Sequence, residues 1–251
     1  MRRWAWVLFL IGCLPPAEEG TPDLFPLRPL YSFEVPGGFS GMGAIAAGRF
    51  GDVYVADAGG NRVMWLSREG RLLGEVGGLG VEPGRFRRPS DVGVWGLEVY
   101  VADEDNRRVQ RFDLGLRFLG SYGAVGGRPE ALAISEDGAF LVDGGRMWRI
   151  ASDGVFPFGQ GVLRRPVAVA AEGGRVWVAD AGRGEVLAFD RSGGMIGAFG
   201  RGKFGEGLSG IGAGKGVCWV ADSRLVWAVH YREGVLGSIG EPSQRPVDVA
   251  V

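Results

Sequence analysis

The chain of 251 residues has little of what most enzyme sites are built from. It holds one histidine, His230, which excludes a histidine-rich zinc centre or a set of imidazoles sharing proton transfer. Its two cysteines, Cys13 and Cys218, cannot make a disulfide framework. No Ser stands in a Gly-x-Ser-x-Gly setting. Gly202-Lys203-Phe204-Gly205 and Gly212-Ala213-Gly214-Lys215-Gly216 lack the spacing and strand-to-helix context of a phosphate loop. Lys203 and Lys215 are the only lysines, so positive charge rests on arginine. The formal charge of −1 excludes the basic excess of a nucleic-acid-binding protein. No shift in composition marks a second domain, and the 47 glycines are spread along the chain as turn formers.

What the chain does have is repetition. Leu97–Ala102 alternates with β-branched and aromatic residues, Asp103-Glu104-Asp105-Asn106 is a turn cluster, and Arg107–Phe112 and Arg117–Tyr122 read as two further strands. The pattern returns at intervals of about forty residues. Asp57, Asp103, Asp143, Asp180 and Asp222 close the strands VYVAD, VYVAD, AFLVD, VWVAD and CWVAD. Tyr54, Tyr100, Phe140, Trp177 and Trp219 each stand three residues earlier. Units end on Val76-Gly77, Tyr122-Gly123, Phe158-Gly159, Phe199-Gly200 and Ile239-Gly240, and Pro89, Pro129 and Pro166 precede their aspartates by fourteen residues. A short meander of this kind cannot bury its apolar faces alone, so the expected fold is all-β: a β-propeller of four-stranded blades.

These units resemble NHL repeats in their proline, valine-rich strand ending in Asp, Asn-Arg-Val turn and aromatic-Gly close. Gly60-Asn61-Arg62-Val63 and Asn106-Arg107-Arg108-Val109 match well; Gly144-Gly145-Arg146-Met147, Arg183-Gly184-Glu185-Val186 and Ser223-Arg224-Leu225-Val226 depart from the turn. The resemblance covers residues 30–251 and implies a propeller, a fold that hosts unrelated activities.

The chain opens with Arg2-Arg3, then a short apolar run closing on Leu10-Ile11-Gly12-Cys13. The run is too short to span a bilayer as a helix and reads as a secretory signal over residues 1–12. Its end resembles the bacterial lipobox. That likeness implies a lipidated Cys13, anchorage to a membrane, and localisation as an exported lipoprotein of the bacterial cell envelope. Residues 13–29, with Pro15, Pro16, Pro22, Pro26 and Pro29, read as a tether. Cys218 lies within a strand and reads as a small buried apolar residue.

Pro246–Val251 matches the innermost strand Pro89–Val94, and Leu30–Val35 resembles an outermost one. Both ends are expected in one closing unit: five full repeats plus a partial sixth, giving five or six blades. Topology then places the repeat aspartates Asp57, Asp103, Asp143, Asp180 and Asp222, in a structural turn role, on one face with a set of arginines. Arg88, Arg107, Arg108, Arg165 and Arg183 are the candidate partner-binding residues. No catalytic or metal-ligating residue is assigned and no cofactor is implied. The expected function is a non-catalytic binding module for a protein or other envelope ligand, acting as a monomer. The alternative is a calcium-dependent hydrolase or lyase of the propeller lactonase type, with the repeat aspartates as the obvious oxygen ligands.

Overall fold

The computed structural model describes residues 38–123, 126–152, 154–204, 207–214 and 216–239. Twenty strands fold into five antiparallel four-stranded blades arranged in a ring, and the described residues contain no helix. Blade 1 is β1 (Met42–Ala47), β2 (Val53–Asp57), β3 (Arg62–Leu66) and β4 (Leu72–Gly77). Blade 2 is β5 (Pro89–Trp95), β6 (Glu98–Asp103), β7 (Arg108–Asp113) and β8 (Phe118–Gly123). Blade 3 is β9 (Pro129–Ser135), β10 (Gly138–Asp143), β11 (Arg146–Ala151) and β12 (Gly154–Pro157). Blade 4 is β13 (Pro166–Glu172), β14 (Arg175–Asp180), β15 (Glu185–Asp190) and β16 (Met195–Phe199). Blade 5 is β17 (Gly210–Gly214), β18 (Val217–Ala221), β19 (Val226–His230) and β20 (Gly234–Ile239). The expected signal segment, Cys13, the tether and the closing strands Leu30–Val35 and Pro246–Val251 all lie outside the described residues.

Strand order explains the composition. The second strands are largely buried, and β2 is buried at every position from Val53 to Asp57. Continuous VYVAD-type runs suit that environment. The outermost strands alternate poorly and stay largely exposed, as in β8. Innermost strands of successive blades pack in series: β1 on β5, β5 on β9, β9 on β13 and β13 on β17. Aromatic residues fill the wedges between blades. Phe140 and Phe189 both meet Phe158 edge-on, at 5.2 and 5.3 Å. Such pairs add roughly 0.5–1.5 kcal/mol to the burial itself. Truncating fully buried Phe140 to Ala would cost about 3–5 kcal/mol.

The three strands read around Asp103 each begin and end one residue later than their composition suggests. The reason is local. Arg107 takes a left-handed conformation (φ 55°) to finish the turn, so the ladder starts with Arg108 opposite Asp103. In blade 3 the equivalent turn contracts to Gly144-Gly145, with φ of 61° and 73°. Two consecutive positive φ values define the tight hairpin that glycine alone enters freely.

Candidate upper-face recognition site

The turn between second and third strands opens at the same end of the ring as the connection from the preceding blade. We call this end the upper face. The repeat aspartates, all buried, tie the two together. Asp57 accepts N–H bonds from Ser40, Gly41 and Gly60. Asp103 accepts from Arg87 N, Asn106 and Gln110. Asp143 takes the N–H groups of Gly126 and Arg128. Asp180 takes those of Arg164, Arg165, Gly182 and Arg183. Asp222 takes those of Arg224 and Leu225. A carboxylate receiving several N–H donors offsets its burial and pins a loop. Its lone pairs are spent on these donors, which leaves little for an external cation or a reacting proton.

The five sequence-assigned arginines divide sharply. Arg108 is consumed inside the fold: Nε meets Asp103 at 2.8 Å, and its terminal nitrogens donate to the carbonyls of Val81, Glu82 and Arg85. Arg183 reaches Glu185 at 2.8 Å. Arg88 pairs with Glu104 at 3.2 Å. Arg107 and Arg165 are exposed and form no ion pair among the described residues. Arg87 and Arg164 share that condition; they were legible as blade-connection residues but not as members of the site. Arg87, Arg107, Arg164 and Arg165 are therefore among the uncommitted positive charges of this face.

Two buried glutamates each hold a pair of arginines. Glu104 sits between Arg88 and Arg128, the latter at 3.3 Å, while Arg128 also pairs with Asp105. Burial pushes the Glu104 carboxyl above its usual range despite both arginines. Glu185 is equally buried. Burial acts to raise it, but hydrogen bonds from Arg201 and Arg183 hold its carboxyl below the usual range.

At the ring axis the innermost strands of all five blades surround a cavity of about 90 Å³, with room for water or a small ion. Its polar quarter is Ser90, Asp91 and Glu130. Ser90 Oγ donates to the Pro129 carbonyl at 2.8 Å, and Asp91 Oδ2 accepts the Leu132 N–H at 2.6 Å. Sequence reasoning assigned no acid to this axis, yet among the described blades Asp91 stands there. In the strand register it occupies the column filled elsewhere by Ala44, Ala131, Ala168 and Gly210. That column comparison was the available signal. Among the described residues no group of three His, Cys, Asp or Glu side chains gathers as metal ligands. His230 ends β19 at the opposite end of the ring, half-buried against Tyr231, with Nδ1 3.6 Å from Glu233. Cys218 is fully buried and burial raises its thiol well above the usual value.

The NHL repeat model matches residues 86–112, which span the connection into blade 2 and three of its strands. With five blades sharing that unit's pattern, the assignment follows. The chain is a five-bladed β-propeller carrying an NHL repeat in its second blade. No curated protein matches its sequence. Among solved structures, the propeller is similar to a streptogramin B lyase, at 15% identity over 84% of this chain and 74% of that one, TM-score 0.63. It is similar to a catalytically inactive histidine-to-alanine variant of virginiamycin B lyase from Staphylococcus aureus with quinupristin, at 14% identity over 87% and 77%, TM-score 0.66. It is also similar to a chain of the nidogen/laminin complex, at 12% identity over 83% and 84%, TM-score 0.68. At these identities the likeness establishes the fold alone.

Proposed function

We propose that this propeller is a non-catalytic binding module that takes an acidic ligand on its upper face, held at the cell envelope through a lipidated Cys13. The observation that carries the reading is the division of charge on that face. The aspartates that an oxygen-ligated metal or a general base would need are buried and occupied by main-chain and side-chain donors. The arginines Arg87, Arg107, Arg164 and Arg165 are outward and uncommitted. Exposed guanidiniums suit bidentate recognition of carboxylate or phosphate. Similar rings occur in a laminin complex and in two lyase structures, so the fold supports either class and the side chains decide. His230, the single histidine of the sequence, does not line the axial cavity. Envelope location rests on the Leu10-Ile11-Gly12-Cys13 sequence.

The test is capture of partners from detergent-solubilised envelope by the intact lipoprotein. The charge-reversed variant Arg107→Glu/Arg165→Glu should lose the captured ligand at unchanged melting temperature. Identical capture by parent and variant would sink the upper-face reading. Stoichiometric calcium with turnover of a lactone would move the protein to the alternative class. Separately, mass spectrometry of the parent should show acyl chains on Cys13 that Cys13→Ala lacks; a parent without them would remove the lipid anchor.

A further inference from the structure

The lower end of the ring, where first strands turn into second and third into fourth, is uneven from blade to blade. In blades 3 and 4 the turn between first and second strands carries Glu136-Asp137 and Glu172-Gly173-Gly174. In blade 5 Gly214 and Gly216 flank it. Blades 1 and 2 present Arg49-Phe50 and Trp95-Gly96-Leu97 in the same places. Phe50 is 82% exposed, Leu97 66% and Trp95 43%. The turn between third and fourth strands ends on Arg71 in blade 1 and Arg117 in blade 2. The register puts Gly154, Gly194 and Gly234 at that position in the other three.

Among the described residues the local acids form no ion pair with these arginines; the one acid whose charge they feel is exposed Glu69, beside Arg71. Asp52 accepts from Trp65 Nε1 and Phe50 N, Asp113 from Gly115 N and Arg117 N, and Glu98 pairs with Arg111. Glu69 is exposed and bonds the Ser67 hydroxyl. Arg49, Arg71 and Arg117 are exposed, with no ion pair among the described residues. Apolar pairs on the outermost strands are a different matter. Leu72-Leu73, Phe118-Leu119, Val155-Phe156 and Met195-Ile196 recur in four blades and belong to the repeat. The six residues of blades 1 and 2 stand on adjacent blades at one end; the arginines of the corresponding turns in blades 4 and 5 are partnered, Arg191 with Asp137 and Arg232 with the Tyr231 ring.

We infer that the lower end of blades 1 and 2 docks on an anionic lipid surface, with Phe50, Trp95 and Leu97 entering the headgroup boundary and Arg49, Arg71 and Arg117 meeting lipid phosphates. Aromatic and aliphatic tips among arginines are the composition that settles at a membrane interface. Arginines near an anionic leaflet each add attraction that added salt screens. The apolar groups sit on projecting turns, a shape that suits a fluid surface better than a folded partner needing a matched counter-surface. Docking this end turns the upper face away from the bilayer. The residues involved are separate from those of the upper face, so this contact and the recognition reading fail independently.

The test uses the full chain carrying Cys13→Ala, so that no acyl chain contributes and residues 1–12 are common to every sample. Flotation with phosphatidylglycerol vesicles is compared with phosphatidylcholine vesicles. Arg49→Glu/Arg71→Glu/Arg117→Glu and, separately, Phe50→Ser/Leu97→Ser should each lower partition onto the anionic vesicles by roughly tenfold or more. The upper-face control Arg87→Glu/Arg164→Glu/Arg165→Glu should not. Melting temperatures equal to the parent's show that a variant is folded. Partition unchanged in both lower-end variants, or reduced as much by the upper-face control, overturns the inference. So does a parent dimer that the Phe50→Ser/Leu97→Ser variant dissociates without vesicle binding, which assigns the patch to a second copy.

Discussion

Trp227 donates its indole N–H to Asp222 at 2.7 Å, from the register position at which Gln110 donates to Asp103 at 3.1 Å. Two chemically unlike side chains thus serve one acceptor in two blades. In these two blades the turn aspartate takes one donor from the third strand, and either side chain has the reach. Trp227 adds an edge-on contact with Phe204 at 5.7 Å. Trp227→Phe should keep most of that packing while withdrawing the donor, lowering stability by about 1–2 kcal/mol. Urea unfolding measures this. A loss below a few tenths of a kcal/mol would show that the other partners of Asp222 suffice.

Glu185 gives the fold a pH-dependent element. Its carboxylate takes Arg183 Nε at 2.8 Å and Arg201 Nε at 2.6 Å while only 3% exposed. Its folded value lies below the unfolded one, so the folded state favours the charged form. That stability is complete above the ordinary glutamate range near 4.5 and is lost as pH falls through the lower folded value. Glu185→Gln should therefore melt below the parent at pH 7, and the gap should close on acidification below about 4. A gap independent of pH would assign the loss to packing instead.

The repeat made the ring legible because every blade repeats the same burial problem: a largely buried second strand, then a carboxylate that gathers loose N–H groups. Columns of Val, aromatic and Asp are the trace of that constraint. Individual arginines were harder. Arg107 and Arg108 are neighbours, yet one points to solvent and the other into a cage of carbonyls, because the left-handed residue rotates the chain between them. Composition alone does not encode that rotation. Asp91, Phe50 and Leu97 were missed for the converse reason. Among the described blades each is a single departure from a column, and a search for agreement among repeats passes over the residues that differ.

Arg107 itself is held at φ 55°, where Asn61 (φ 52°) and Gly184 (φ 63°) take the matching turn position in blades 1 and 4. Asn and Gly enter this region readily; a long side chain costs roughly 1 kcal/mol there. Arg107 keeps this conformation while exposed, with no ion pair among the described residues to compensate. Arg107→Gly should then stabilise the propeller by about 0.5 kcal/mol, after the greater freedom glycine gives the unfolded chain is offset. The melting temperature should rise by roughly 1–2 °C. Capture of the envelope ligand should fall in the same variant. Arg107→Asn, which keeps a side chain without the charge, should behave alike. A gain in stability with undiminished capture would remove Arg107 from the recognition site, and a loss of stability would mean that the arginine stem packs on the turn and is structural.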